Sequence, residues 1–245
     1  MLEPIGKYEF VIDAYLTDFR GKATLPMIGG FMLQCATKHA EERGFGYSYM
    51  TDRKKAWVLS RLAVELYEYP KNDSSFVVKT WIGTVNRLFT ERRFAFENMD
   101  GQEIGFARSL WAAIDMETRK PTNIMELDSM IALMDENKSC PIDELGKIPI
   151  IKEGAQLAES IKIKYSDIDI NKHLNSMKYI EHLVDVFDIE MFKEKEIRRL
   201  DINYLSEGRY GTTVNIIRQE IKNSEFLLEM QASGTTICSA KTIWK

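Results

Sequence analysis

The sequence YSDIDINKHLNSMKYIEHLVD, residues 165–185, joins a short polar segment to a helical one. In its first half, polar side chains fall on alternate positions: Asp167, Asp169, Asn171 and His173. Alternate side chains of an extended chain lie on one face, so we expect these four groups to converge. From Asn175 or Ser176 onward, apolar residues recur at helical spacing, and either residue suits the N-cap.

A polar cluster at the start of a helix suits carbonyl chemistry, because the unpaired backbone N–H groups there favour developing negative charge. Other interpretations compete. A calcium loop needs Gly at its sixth position and Glu at its twelfth, where this sequence has Lys172 and Lys178. Zinc would need more ligands than the one nearby histidine. We therefore expect no metal here, while a loop of solvated capping residues stays an open alternative.

Composition places the chain among ordinary globular proteins, with 245 residues and a net charge of −4. This charge argues against a nucleic-acid partner, although basic patches occur at Arg53–Lys55, Arg92-Arg93 and Arg198-Arg199. Three scattered cysteines suit a reducing compartment, and neither a targeting segment nor a membrane span is recognisable. We therefore expect a cytoplasmic protein without a membrane partner; the sequence leaves a homodimer open.

The chain repeats one order of elements, namely a strand, a helix and four further strands. In the first copy the predicted strands are Tyr8–Tyr15, Ala56–Tyr69, Ser75–Asn86, Leu88–Asn98 and Glu103–Asp115. In the second copy they are Leu157–Lys164, Ile197–Leu205, Thr212–Ile221, Glu225–Ala232 and Thr236–Trp244. The first helix follows Thr24 as its N-cap, and Gly29 and Gly30 inside it suggest close packing against a sheet.

The predicted fold class is therefore α+β, with two tandem domains that each wrap an antiparallel sheet around a long helix. We place the first domain at residues 1–120, a linker at 121–156 and the second domain at 157–245.

Residue matches between the copies indicate a duplication. Thr17-Asp18 matches Ser166-Asp167 at a shift of 149, whereas the strand residues Leu62 and Leu200 match at a shift of 138. In this alignment the first copy lacks the polar cluster, since the places of Asp169, Asn171 and His173 are taken by Arg20, Lys22 and Thr24. We therefore expect the first domain to be catalytically degenerate and to bind the substrate, and the second to be catalytic.

Residues 167–180, DIDINKHLNSMKYI, resemble the D-x-D-x-N-x-H-V-N-N-x-x-Y-I signature of the acyl-acyl carrier protein thioesterases, which are tandem hotdog proteins. The first half agrees as well, at Trp57–Arg61, Thr80–Gly83, Arg87 and Ala107–Trp111. The resemblance implies hydrolysis of fatty acyl-acyl carrier protein (acyl-ACP), which releases free fatty acid and terminates its synthesis. It implies ACP as the partner, no cofactor, and a bacterial-type member, because no plastid transit segment is recognisable.

The resemblance also implies which residues act. Asp169, Asn171 and His173 match the motif, and the family's glutamate falls on Glu207. Many members carry Cys directly after this glutamate, whereas this chain has Gly208, so a thiol nucleophile is excluded at that position. Water activated by His173 and Glu207 would then attack the thioester.

Further roles follow from the same resemblance. Asn171 would hold the water or the thioester, and backbone N–H groups near Asn175 would stabilise the oxyanion. Asp169 would either orient its neighbours or attack the carbonyl itself. The acyl chain would lie in the first domain, beside residues that share an apolar character: Met27, Phe31 and Trp57. One basic patch would dock the acidic carrier.

His39 and His182 are expected to be structural rather than catalytic.

Two alternatives to the hydrolysis of acyl-ACP remain open. The chain could be a hotdog thioesterase that acts on acyl-coenzyme A, or a non-catalytic acyl-binding module. The first differs from the favoured function in its preferred carrier, and the second would release no thiol at all.

Overall fold

The computed structural model describes residues 3–151 and 154–245. The chain divides into two compact units, Met1–Leu145 and Gly146–Lys245. In the part of the chain that the structure describes, each unit is a five-stranded antiparallel sheet with a helix between its first two strands. The predicted α+β fold class is therefore confirmed.

The first unit has the strands β1 Gly6–Val11, β2 Lys55–Leu66, β3 Ser75–Val85, β4 Phe89–Asn98 and β5 Glu103–Asp115. Its helices are α1 Leu25–Glu42, α2 Tyr47–Asp52 and α3 Asp128–Ile131, with a 3-10 turn at Ala14–Leu16. The strands are ordered β1-β3-β4-β5-β2. Helix α1 begins after Thr24, as predicted, and buries one face of apolar residues: Leu25, Ile28, Met32, Cys35 and Ala36.

The second unit has the strands β6 Gln156–Lys162, β7 Ile197–Tyr204, β8 Thr213–Lys222, β9 Glu225–Ala232 and β10 Thr235–Trp244. Its helices are α4 Ser176–Asp185 and α5 Ile189–Glu194, with a 3-10 turn at Tyr165–Asp167. The order β6-β8-β9-β10-β7 repeats that of the first unit. Helix α4 buries Tyr179, Ile180 and Leu183.

Strand register supports the duplication, because equivalent residues pair with equivalent partners. Val64 lies opposite Ala107 in the first unit, and Ile202 lies opposite Ala240 in the second. Val64 and Ile202 are related by the strand shift of 138 residues that the sequence suggests, and Ala107 and Ala240 are related by a shift of 133 residues. The alignment of the polar loops, in contrast, is wrong by two residues, as the hydrogen bonds described below show.

The predicted linker at 121–156 is not a free connection over its first part. Ile124, Leu127 and Met130 are buried in one cluster with Phe45 and Ile82 of the first unit. Burial in this cluster removes all three side chains from water, which stabilises the segment against the first unit. Residues 121–145 therefore belong to the first unit, and the second unit begins at residue 146.

The expectation of close packing at two glycines of helix α1 is wrong for Gly30. A methyl group added at Gly30 would have no heavy atom within 4 Å, so close packing does not require a glycine at this position.

Among the described residues, no helix is both long enough and apolar enough to cross a membrane.

Candidate active site

The polar segment before helix α4 is a tight turn and not an extended strand. Asp167 ends a 3-10 turn, Ile168 pairs with Leu174, and Lys172 has a φ of 66°. The side chain of Asp169 causes this folding, because its Oδ1 accepts the backbone N–H groups of Asn171 and His173 at 2.8 and 3.3 Å. The expected convergence of alternate side chains on one face therefore does not occur.

The structure brings His173 and Glu207 together. His173 Nε2 lies 3.0 Å from Glu207 Oε2, and these side chains are 25% and 38% exposed, so solvent reaches the pair. The adjacent backbone is joined as well, because Leu174 donates its N–H to the carbonyl of Gly208 at 2.8 Å. An imidazole beside a carboxylate, open to water, is an arrangement that can accept and return a proton.

Tyr179 of helix α4 holds the segment that carries Glu207, a role that the sequence did not suggest. Its hydroxyl donates to the carbonyl of Ser206 at 3.0 Å and accepts the N–H of Gly208 at 2.8 Å. Burial raises the pKa of Tyr179 well above its ordinary value, so the hydroxyl remains protonated. The available signal is its place in the family motif, as the tyrosine of residues 167–180.

Gly208 packs too closely for any larger residue. A methyl group there would lie 2.9 Å from Cβ of Leu174 and 2.9 Å from Cδ1 of Ile163. A cysteine at this position would displace the loop that carries His173 or the end of strand β6. The absence of a thiol next to Glu207 thus has a steric reason in this chain.

Asp167 and His182 form a second pair behind the turn. Asp167 is buried, its Oδ2 accepts the N–H of Lys164 at 2.7 Å, and its Oδ1 lies 3.3 Å from His182 Nε2. His182 therefore contacts the polar segment, although its position nine residues beyond His173 predicts a place on the far side of helix α4. Because Asp167 and Asp169 serve different partners, their carboxylates do not form the ligand set of a calcium loop.

Asn175 is the N-cap of helix α4, as predicted, and its Oδ1 accepts the N–H of Met177 at 2.8 Å. Its own N–H, however, donates to the carbonyl of Asp167 at 2.8 Å. The Asn175 N–H is therefore occupied and cannot stabilise an oxyanion as expected. Within the described residues, the next N–H, that of Ser176, makes no hydrogen bond. Asn171 is exposed, and its side chain also has no partner among these residues.

The three residues predicted to contact the acyl chain do not form one group. Phe31 packs against Phe10 and Phe76, with ring centroids 4.5 and 5.5 Å apart. Trp57 instead donates its indole N–H to the carbonyl of Phe45 at 2.9 Å and belongs to the cluster around α2. Met27 is half-buried on the same helix as Phe31.

Two of the predicted basic patches each have one arginine in the core. Arg92 and Arg199 are buried, and Arg199 is paired with Asp201 at 2.8 Å. In the exposed patch at Arg53–Lys55, Lys54 pairs with Glu117 at 2.7 Å.

Different cations lie around the candidate site, and we name them the rim cations: Lys164, Lys172 and Arg209. All three are exposed, and none forms an ion pair within the described residues.

Two repeated units, of which the second carries a His–Glu pair beside a helix start, define a tandem hotdog protein. The family model for the acyl-ACP thioesterase N-terminal domain matches residues 5–132, and that for the C-terminal domain matches residues 151–245. The chain belongs to the acyl-ACP thioesterase family, which confirms the family predicted from its sequence.

Individual relatives agree with this assignment. The acyl-ACP thioesterase from Bacteroides thetaiotaomicron is 40% identical, with a TM-score of 0.93 over 99% of this chain and 98% of that one. The chloroplastic oleoyl-acyl carrier protein thioesterase 2 of Arabidopsis thaliana is 23% identical over 96% of this chain and 68% of its own. The 12:0-ACP thioesterase from Umbellularia californica, at 19% identity and a TM-score of 0.87, shares the fold.

Proposed function

We propose that this protein hydrolyses the thioester of fatty acyl-ACP and releases free fatty acid. Family membership supports the reaction class, and the observation that carries the proposal is the 3.0 Å contact between His173 and Glu207 in the second unit. The cytoplasmic location expected from the sequence stays a prediction.

The proposed chemistry is direct attack by water. His173 and Glu207 take a proton from the water as its oxygen forms a bond to the thioester carbon. When the tetrahedral intermediate collapses, the carbon–sulfur bond breaks and the same proton passes to the leaving thiolate. The products are the fatty acid and the free phosphopantetheine thiol of the carrier, and the protein returns to its starting state.

Two groups near the helix start assist in this scheme. Ser176 replaces Asn175 as the backbone donor to the oxyanion, since its N–H at the first position of α4 is unused within the described chain. Asn171, whose amide is exposed and also without a partner there, holds the attacking water or the thioester oxygen. Both groups thus offer donors that the folded turn does not consume.

The acyl chain, in this proposal, lies along the half-buried face of helix α1. Met27 and Phe31 are one helical turn apart and share that face, and Gly30 between them leaves an unfilled space. Trp57 belongs to a different cluster, so its role in acyl binding has less support than that of Phe31.

The experiment measures thiol release from acyl-ACP by the wild type and by His173→Ala and Glu207→Gln. We expect each variant to lose about 10²–10⁴ of kcat, the usual contribution of general-base catalysis, with unchanged thermal unfolding. Lys22→Ala is the matched control, because the carbonyl of Lys22 accepts the N–H of Asp18 just as the carbonyl of His173 accepts that of Asp169. Its activity should equal that of the wild type. Equal, slow thiol release by wild type and active-site variants would instead identify an acyl-binding module.

The same assay separates the two carriers. If acyl-coenzyme A is turned over with a higher kcat/KM than acyl-ACP of the same chain length, the protein is a coenzyme A thioesterase. We expect the opposite order, because the family models that match both halves of the chain are those of acyl-ACP thioesterases.

A further inference from the structure

The polar turn that precedes helix α4 has a twin in the first unit, at a shift of 151 residues. Asp18 donates its N–H to the carbonyl of Lys22 at 2.8 Å, and Asp169 donates its N–H to that of His173 at 2.9 Å. Gly21 and Lys172, which are equivalent, have φ values of 67° and 66°. The sequence-based alignment of these loops is therefore corrected from 149 to 151.

The aspartate at the start of each turn makes the same side-chain bonds. Asp18 Oδ1 accepts the N–H groups of Arg20 and Lys22 at 2.8 and 3.2 Å. Asp169 Oδ1 accepts those of Asn171 and His173 at 2.8 and 3.3 Å. An aspartate that binds the N–H groups two and four residues on is a local turn-former.

The other members of the proposed site are not shared. Arg20 and Lys22 stand in the places of Asn171 and His173. The place of Glu207 is marked by the backbone: Ala23 donates to the carbonyl of Pro70 at 2.8 Å, just as Leu174 donates to that of Gly208. Tyr69 therefore corresponds to Glu207. The first unit keeps the aspartate although it keeps none of these three groups.

We infer that Asp169 is a positioning residue, which builds the turn that presents Asn171 and His173, and that it does not attack the thioester. A turn-former is required wherever the turn exists, and this explains why both units have it. A nucleophile would be required only where the reaction takes place. The inference deepens the proposed function and rests on it.

One difference between the two turns makes an experiment necessary. In the first unit, Asp18 Oδ2 pairs with the guanidinium of Arg20 at 2.6 Å. Asn171 cannot replace that cation, and Asp169 Oδ2 makes no hydrogen bond within the described residues. The free oxygen is the one that a nucleophilic mechanism would use.

The test compares Asp169→Asn with Asp169→Ala on acyl-ACP. The amide oxygen of asparagine can accept the same two N–H bonds, so we expect Asp169→Asn to keep kcat within about tenfold of the wild type. Asp169→Ala loses the turn, and we expect about a 100-fold loss of kcat from misplacement of the reacting groups. The intact mass of Asp169→Asn must show no conversion back to aspartate. A loss beyond about 10⁴-fold in both variants would overturn the inference, since that is the size expected when a nucleophile is removed.

Asp18→Asn and Asp18→Ala are matched controls for stability. We expect Asp18→Ala and Asp169→Ala to lower the melting temperature by similar amounts, while only Asp169→Ala changes kcat. A large loss of kcat in Asp18→Ala would show that damage to a turn anywhere in the chain impairs turnover, and would overturn the specific role of Asp169.

A single turnover in ¹⁸O-water gives an independent readout. Direct attack by water puts the label only in the fatty acid, whereas attack by Asp169 followed by hydrolysis of the anhydride can place it in the Asp169 carboxylate. Label in the peptide that contains Asp169 would overturn the inference and leave the proposed function intact. Absence of any turnover by the wild type would overturn the proposed function itself.

Discussion

His39 and His173 show how burial separates a structural histidine from a candidate catalytic one. His39 is fully buried in the first unit, where Arg92 lies 3.1 Å from its Nδ1 and the carbonyl of Pro4 lies 3.0 Å from its Nε2. Because the guanidinium can only donate and the carbonyl can only accept, the ring must be neutral, with its proton on Nε2. His173, in contrast, is partly exposed beside a carboxylate.

This difference makes the stability of the protein depend on His39 in acid. Burial, reinforced by the charge of Arg92, lowers the pKa of His39 from 6.5 to about 3. The unfolded chain therefore binds a proton that the folded protein does not bind between these pH values, and the free energy of unfolding falls as the pH is lowered. We expect His39 to contribute roughly 3 kcal/mol to this fall between pH 7 and pH 4.

Urea unfolding of the wild type and His39→Gln at pH 7, 5.5 and 4 tests this expectation. Glutamine can accept from Arg92 and donate to Pro4 but does not titrate, so the variant should lose less stability on acidification. Parallel pH profiles for the two proteins would show that other groups cause the acid sensitivity.

The sequence could predict which residue types belong to the candidate site, but not how each is used. The motif identified Asp169, Asn171, His173 and Glu207, and the structure joins the last two directly. The prediction of an extended chain at residues 167–173 is wrong, because the side chain of Asp169 accepts the backbone N–H groups of Asn171 and His173 and so folds the segment into a turn. The N–H of Asn175 is not available to an oxyanion because it donates to the carbonyl of Asp167. The sequence could not show this hydrogen bond, since only the folded turn brings the two groups together.

Helices and strands were predicted more reliably than the loops between them. The strands β3, β5 and β9 lie within one residue of their expected bounds, because alternating apolar residues and turn residues mark them clearly. The sequence does not identify residues 121–145 as part of the first unit, because few of them form regular structure and their burial depends on the surface beneath them. Within this segment the sequence predicts one short amphipathic piece near Glu126–Met134, and the single turn of α3 lies inside it.

Two glycines of the first unit should respond in opposite ways to the same substitution. Gly30 lies inside helix α1 with no atom within 4 Å of an added methyl group, so Gly30→Ala should raise the free energy of unfolding by about 1 kcal/mol. At Gly105 in strand β5 the methyl group would lie 2.6 Å from the carbonyl oxygen of Glu65. Gly105→Ala should therefore lower the free energy of unfolding by about 1–3 kcal/mol.

Chemical denaturation of both variants gives these values, and the fatty acids released by Gly30→Ala add a functional readout. If the acyl chain lies beside Met27 and Phe31, the added methyl group should shift the products toward shorter chains. A stabilised variant with an unchanged product profile would place the acyl chain elsewhere, and a destabilised one would contradict the open space at Gly30.

Charge placement across the chain separates two kinds of basic residue that the sequence could not distinguish. In the patches visible in the sequence, Lys54 lies in an ion pair, Arg92 lies in the core, and Arg53 stacks on the ring of Tyr49. The rim cations are isolated in sequence but border the candidate site. Gly211, two residues after Arg209, donates its N–H to the carbonyl of Ile163, which is next to Lys164. Spatial proximity of this kind is set by the turn at 208–211 and not by sequence distance.

If the rim cations attract the acidic carrier, turnover should depend on ionic strength in a specific way. Raising the salt concentration from about 20 to 500 mM shortens the Debye length from roughly 20 Å to 4 Å, so kcat/KM for acyl-ACP should fall by about tenfold or more. Combining Lys164→Gln, Lys172→Asn and Arg209→Gln should lower kcat/KM at low salt and flatten this dependence, with little change in kcat. Asparagine is chosen at position 172 because it tolerates the positive φ of Lys172.

Two controls accompany this experiment. Lys54→Gln, in the patch Arg53–Lys55, should keep the wild-type salt profile, and an uncharged acyl-pantetheine substrate should show no salt effect with any variant. A triple variant whose salt profile equals that of the wild type would place the docking surface away from the rim cations. A flattened salt profile in Lys54→Gln would place the docking surface at the patch Arg53–Lys55.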